Sequence, residues 1–328
     1  MECFEHAKSN MLRALLRRVA LSLLTLVMLA TFVFLATEVL PGDALDVTLS
    51  ADEMSAMPPQ RLAAMKTELG LDRPVAVRLG EFLWGLAHFD LGRTLISKVA
   101  VSQIIAYPMR NSLLLAATTL LFALPLAVFL GVCAAYAHRR STDKWVSTLS
   151  LIGYSVPEFV TGTFLVMWLA VSWAWFPATI TADTRATAMT LLQASPLVVL
   201  TLLIGSIAYL TRLLRVGMVD ALSSDFVERL RLTGIPEWRI VWRHALPAAA
   251  IPTLSAMALY AAALVSGIVV VELVFSYPGV GQELVRAISK REVHVIQAIA
   301  ITSAAIVVAM NFLADIAILA LDPRTRQP

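Results

Sequence analysis

Six long apolar runs, residues 19–40, 112–137, 146–176, 191–210, 248–275 and 295–321, constrain this chain more than anything else in it. Each run meets or exceeds the roughly 20 residues that carry a helix across about 30 Å of hydrocarbon. A lone strand in lipid would leave its backbone polar groups unpaired, so helices are the form the runs must take. Composition agrees, since 59% of the 328 residues are hydrophobic and 15% are charged. A soluble domain of ordinary composition carries about a quarter charged residues. The sequence therefore predicts an all-α polytopic membrane protein with six transmembrane helices. The first run is too long, and too poor in small residues at its end, for a cleaved signal peptide. Leu-Pro-Gly-Asp at 40–43 stops it instead.

The basic residues set an orientation. Lys8, Arg13, Arg17 and Arg18 precede the first run, and Arg139, Arg140 and Lys144 separate the second from the third. Arg212, Arg215, Arg229, Arg231, Arg239 and Arg243 follow the fourth, and Arg324 and Arg326 follow the sixth. With six spans these four segments share one side, while 41–110 and 176–190 are nearly balanced. The positive-inside rule then predicts cytoplasmic termini. The expected organisation is a tail at 1–18, a first transmembrane helix at 19–40 and an extracytoplasmic helical region at 41–109. A core at 110–322 with five transmembrane helices and a tail at 323–328 complete it. Within the outer region, "PPQRLAAMKTELG" and "DRPVAVRLGEFLWGLAHFDLG" read as two helices. Together they make a cap, too small for an independent enzyme.

The motifs of common chemistries are missing. None of the five lysines follows a glycine, so there is no Gly-Lys-Ser/Thr phosphate loop. No His-Glu pair begins a zinc motif, and no Gly-x-Ser-x-Gly elbow occurs. The two cysteines, Cys3 and Cys133, and five scattered histidines suggest neither a disulfide framework nor a metal site. No catalytic residue, cofactor, metal or nucleic-acid partner is expected.

One stretch between the fourth and fifth runs is unusual: "ERLRLTGIPEWRIVWRHALPAAAIP", 228–252, with four arginines and a Gly-Ile-Pro break. Ser223, Ser224 and Asp225 are candidate N-caps just before it. Phe226, Leu230 and Thr233 fall at helical spacing, as do Val227 and Leu230. Gly234 and Pro236 supply the stop. The pattern predicts an amphipathic helix of two to three turns held between spans. Two readings fit it equally: a knob that fills a groove on a soluble partner, or an interfacial helix lying on anionic lipid.

A resemblance separates them. The stretch resembles the cytoplasmic loop of ABC-importer permeases, with Glu228, Gly234 and Leu246-Pro247 at the spacing of that family's motif. It departs at Arg229, Leu230 and His244, in the arginine-rich manner of the oligopeptide/dipeptide/nickel branch. "MLRALLRR", "LPGD", "SVPEF", "YLTRLLRVGMVDAL", "VVVELVFSYPGVG" and "LDPRTR" resemble that branch in order, from Met11 onward. Residues 1–10 lie outside the resemblance. It implies a type I ABC importer (MetI-like) permease fold, with the core's helices packed together and the first wrapped outside. It implies a coupling loop at 215–247, in which Asp225, Phe226, Glu228, Arg229, Leu230, Arg231, Gly234, Ile235, Leu246 and Pro247 engage a separate ATPase. The implied partners are a second homologous permease, two ATP-binding cassette ATPases and an extracytoplasmic solute-binding protein. Peptides are the commonest cargo of such relatives, and nickel, opines, glutathione and oligosaccharides are carried by others.

Polar residues inside the runs are the remaining candidates. Glu158, after Pro157, lies ~20 Å along a helix from Lys144, where a charge costs roughly 2.5–3.5 kcal/mol on the insertion scale. It reads either as a pathway group facing a substrate amine or as a partner of backbone freed by Pro157. Ser155, Asn111 and Glu272 are further pathway candidates. Asn311 and Asp315 share one face of the last run and suit interhelical packing. Trp168, Trp173 and Trp175 suit an interfacial belt. An ion-coupled secondary transporter would show inverted repeats, and none is visible in the sequence.

Overall fold

A computed structural model describes residues 2–39, 58, 60, 67, 73–94 and 98–321. The expected helix "PPQRLAAMKTELG" and the C-terminal tail lie outside these residues. Among them the chain is helical, apart from loops and one isolated bridge between Arg93 and Ala100. Five helices are long and apolar enough to cross a membrane: Leu16–Glu38, Val101–Tyr136, Pro196–Leu222, Ala256–Phe275 and Val293–Ile316. A bent pair, Ser141–Ser155 with Glu158–Ser172, makes a sixth if counted as one span.

The helices in order are α1 (Glu2–Val39), α2 (Val75–Ala87), α3 (Val101–Tyr136), α4 (Ser141–Ser155) and α5 (Glu158–Leu165). A π-helical stretch, Val166–Ser172, extends α5. Next come α6 (Ala188–Ala194), α7 (Pro196–Leu222) and the short α8 (Asp225–Leu232). A single turn at Glu237–Arg239 and a π-helical stretch at Ile240–Ala245 lead into α9 (Leu246–Gly267). Finally α10 (Val269–Phe275), α11 (Val280–Ser289) and α12 (Val293–Leu321) close the chain. The second helix expected in the outer region is α2, with Pro74 at its N-cap.

Three of the predicted runs are divided by local chemistry. Residues 146–176 do not form one straight span, because α4 and α5 meet at 96°. Pro157 has no N–H to give and forces Val156 into an extended conformation, φ −88 and ψ 125. The ~20 Å measured along a straight helix to Glu158 therefore does not hold. Residues 191–210 are interrupted by Ser195, after which Pro196 begins α7, and α7 runs on to Leu222. Arg212 and Arg215 thus belong to a span rather than to a loop. Residues 248–275 are split between α9 and α10 at Ile268.

α7 is the centre of the bundle, packed against α3, α4 and α9. Helices in lipid lack a hydrophobic force between them, so small residues that admit close backbone approach do much of the work. Gly131 of α3 meets Leu214 and the Thr211 carbonyl of α7, where an added Cβ would stand 3.2 Å from each. Gly153 of α4 faces Ala208 in the same way, and Gly217 of α7 faces Thr253 of α9. One apolar cluster, with Leu115, Leu197, Leu202, Ile268 and Phe275, fills one end of the bundle. Another, with Val132, Leu214, Met218 and Ile240, fills the arginine-rich end.

α1 lies against α12, with Arg18 and Asp315 2.6 Å apart and Gln297 donating to Thr37 Oγ1 at 2.7 Å. Asp315 thus has the interhelical role expected of it. Arg78 of α2 pairs with Glu38 of α1 at 2.6 Å.

Replacing Gly131 with Leu is expected to force α3 and α7 apart. The overpacking should cost about 1–3 kcal/mol, read as a lower thermal midpoint of the purified protein in detergent.

Candidate functional site

At the arginine-rich end, α7 runs out into Ser223 and Ser224 and the chain turns into α8. Ser224 takes the N-cap position, but its hydroxyl donates back to the Ala221 carbonyl at 2.7 Å instead of capping α8. Of the two apolar spacings in the sequence, the structure uses Val227 with Leu230. Val227 is fully buried, and Leu230, Ile235 and Leu246 pack on the cluster of Val132, Leu214, Met218, Ile240, Val241 and Ala245. Phe226 and Thr233 face outward, and the Phe226 ring meets His244 edge-on at 6.2 Å.

The stop at Gly234 is a Schellman turn. Gly234 has φ +75, its N–H donates to Arg231 O at 3.0 Å, and the Ile235 N–H donates to Leu230 O at 3.3 Å. A Cβ on Gly234 would meet nothing within 4 Å, so backbone conformation alone requires the glycine. Arg229 and Arg231 point different ways. Arg231 bridges Glu237 at 2.7 Å, whereas Arg229, exposed, has no ion pair among the described residues. With Asp225, Phe226, Glu228 and Leu232 also exposed, α8 is a rigid two-turn knob with a mixed polar and apolar outer surface.

Behind it lies an ion pair that the charge pattern did not single out. Asp143, buried in the first turn of α4, accepts from Arg215 Nε at 2.5 Å and Nη2 at 2.8 Å. It also accepts from the Arg139 backbone N–H at 2.9 Å and from Ser147. The pair fastens the start of α4 to α7, at Arg215 beside Leu214 of the cluster that holds the knob. Asp143 is the one acid between the second and third runs, which was the available signal.

The pathway candidates divide. Asn111 and Glu272 are both buried within the chain with their polar atoms engaged. Asn111 donates to Pro278 O at 2.8 Å and Thr184 O at 2.9 Å, and accepts from Arg110. Tyr277 donates to Asn111 O at 2.8 Å. Burial pushes the Tyr277 phenol upward, so it stays a neutral donor. Glu272 accepts from Ser112 Oγ and, at 2.6 Å, from the Gly281 N–H. Its carboxylate thereby sits at the N-terminus of α11, where exposed N–H groups favour an anion. A Cβ on Gly279 would fall on that carboxylate, which explains the glycine of Tyr-Pro-Gly-Val-Gly.

Glu158 and Ser155 are brought together instead. They line a cavity of about 550 Å³ with Gly153, Tyr154, Val156, Pro157, Gly205 and Tyr260. Glu158 packs over Gly205, where a Cβ would lie 3.1 Å from its Oε1. Among the described residues, no hydrogen bond or ion pair reaches the Glu158 carboxylate. Ser155 Oγ donates to Leu151 O at 2.7 Å. The tryptophans of the same span form a chain of exposed rings, with Trp168–Trp173 centroids 4.8 Å apart and Trp173–Trp175 4.5 Å apart.

Residues 123–327 match the family described as the binding-protein-dependent transport system inner membrane component. The chain belongs to that family. The profile of its N-terminal region matches residues 11–106, beginning where the sequence resemblance begins. A putative peptide transport system permease protein of Brucella abortus (strain 2308) is 33% identical over 95% of this chain and 98% of its own length. A probable peptide ABC transporter permease protein of Sinorhizobium fredii is 29% identical over 95% and 98%. A glutathione transport system permease protein of Salmonella typhimurium (strain LT2) is 31% identical over 96% and 99%. Among solved structures, an inward-facing methionine ABC transporter aligns with a TM-score of 0.49 and 18% identity, over 65% of this chain and 95% of that one.

The protein is thus a multi-pass membrane permease component of a binding-protein-dependent ABC importer. Its family functions with a paired permease, ATPase subunits and a solute-binding protein.

The two intramembrane glutamates of this permease should behave oppositely. Glu272→Ala leaves buried donors unpaired and should lose about 1–3 kcal/mol of stability. Glu158→Ala should leave the thermal midpoint within a degree or two. Equal effects in thermal unfolding of the purified variants would overturn the division.

Proposed function

We propose that α8 is the coupling element of this permease, the part gripped by a cytoplasmic ATPase, and that the permease imports peptides with a second homologous subunit. One observation carries the coupling reading. An eight-residue helix is anchored by a fully buried Val227 into the cluster that also holds α7, while its outer surface stays unfilled. A connector needs no such anchor, and a helix resting on lipid would not need to bury Val227 and Leu230 in the bundle.

The mechanism follows from the packing. Two ATPases that close on ATP move α8 as a rigid body. Val227, Leu230 and Ile235 pass the movement to Leu214 and Met218 of α7. The Asp143–Arg215 pair makes α4 follow. α7 also carries Gly205, over which Glu158 lies, so the Glu158–Ser155 cavity changes as the knob moves. In this reading Glu158 and Ser155 line the pathway. Both termini and α8 face the cytoplasm and 41–109 faces outward, supported by the one-sided placement of arginine. Peptide cargo is supported by the names of the Brucella and Sinorhizobium relatives. The alternative is glutathione, itself a small peptide, supported by the Salmonella relative.

Gly234→Val tests the coupling. A β-branched residue resists the left-handed conformation by about 1–2 kcal/mol and should tilt or unwind the knob. The importer should assemble, yet its ATP hydrolysis should fall to the rate seen without loaded binding protein. Gly234→Asn, which tolerates that conformation, should retain stimulation. Normal stimulation and uptake in the Val variant would make the stretch a connector.

Topology is checked by thiol labelling of intact cells. With Cys3 and Cys133 replaced, a single cysteine at Gln60 should react with an impermeant reagent without permeabilisation. Labelling only after permeabilisation would reverse the orientation.

A further inference from the structure

The break in the third span does more than bend it. In a continuous helix the carbonyls of Gly153, Tyr154 and Ser155 would accept from residues 157, 158 and 159. Pro157 has no N–H, and among the described residues the Glu158 and Phe159 N–H groups do not reach back to Tyr154 or Ser155. Three carbonyls at the C-terminal end of α4 are therefore left as free acceptors, at the negative end of that helix's dipole. Gly153, Tyr154 and Ser155 all line the cavity that Glu158 lines.

Aromatic faces complete the surroundings. Tyr154, Tyr209 and Tyr260 form a ladder, with centroids 5.5 Å and 4.5 Å apart, and Tyr154 and Tyr260 are at the cavity wall. Such faces attract cations. The Tyr260 hydroxyl is oriented by donating to Ser206 Oγ at 3.0 Å. Arg212, the basic residue nearest this ladder, lies over the Tyr154 ring at 5.5 Å and makes no ion pair with Glu158. The Glu158 carboxylate, the carbonyl end of α4 and two tyrosines border one space, and among the described residues no ion pair of this chain reaches that carboxylate.

We propose that this notch is a cation site in the translocation pathway, receiving a primary ammonium group of the cargo as it passes the membrane. The proposal rests on the reading of Glu158 and Ser155 as pathway residues and adds the chemistry they select. It gives the Pro157 break a function beyond geometry, because the break frees the acceptors. It also explains why Gly205 stands opposite, since any side chain there would occupy the space of the Glu158 carboxylate.

The test uses the assembled importer with Ser155→Cys in a chain whose Cys3 and Cys133 are replaced by serine. Two methanethiosulfonates of similar size are the probes, one carrying a trimethylammonium group and one a sulfonate. The cationic reagent should modify Cys at 155 about tenfold faster than the anionic one, relative to their reactivity with a free thiol. In the Glu158→Gln background the preference should largely vanish. A second reporter, Tyr154→Cys, reads the same space and should give the same pattern. Modification by both reagents at equal relative rates, unchanged by Glu158→Gln, would overturn the cation site and leave the pathway reading standing. Absence of modification by either reagent, at either position, would overturn the pathway reading itself.

Discussion

In hydrocarbon a backbone must satisfy its own hydrogen bonds, and this constraint governs the molecule. It makes the apolar runs helical whatever their side chains prefer. It also makes every interruption costly, so the interruptions carry meaning. The chain breaks at Pro157, at Ser195-Pro196 and at Ile268. The break at Pro157 redirects the helix by 96° and leaves free acceptors beside an unpaired carboxylate.

α7 converts these local features into one mechanical object. It is met closely by α3 at Gly131, by α4 at Gly153 and by α9 at Gly217. Its far end carries the knob through a shared apolar cluster, and its Arg215 holds α4 through a buried pair. Interiors packed this tightly move as blocks rather than deform. α8 meets both α7 and the Ile240–Ala245 stretch that leads into α9.

Glu158 and Glu272 show how position decides the use of one residue type. Glu272 is surrounded by donors, the Ser112 hydroxyl and the Gly281 N–H at a helix N-terminus. It locks the turn between α10 and α11 to α3. Glu158 opens its own helix at a proline break, packs over Gly205 and lines a cavity with Ser155 and Tyr260. The first is a structural fastener. The second has no hydrogen bond or ion pair at its carboxylate among the described residues.

The presence of five or six apolar spans, the helical character, the family and the position of the amphipathic knob were legible along the chain, because each depends on local composition or on spacing within a few turns. Pro157 was visible as a possible break, but its 96° consequence was not, since a proline in a span can be tolerated, as Pro108 and Pro125 are inside α3. The knob's inner face was ambiguous between Phe226 and Val227, because both spacings are helical, and the facing cluster chose the smaller residue. The Asp143–Arg215 pair and the burial of Asn111 and Glu272 join residues 72, 167 and 160 positions from their partners. Apolar length determined that this chain has helices able to cross a membrane, although α7 runs past the predicted end of its span. Only tertiary packing decided which polar residues are fasteners and which face open space, because that depends on what the rest of the bundle brings to each one.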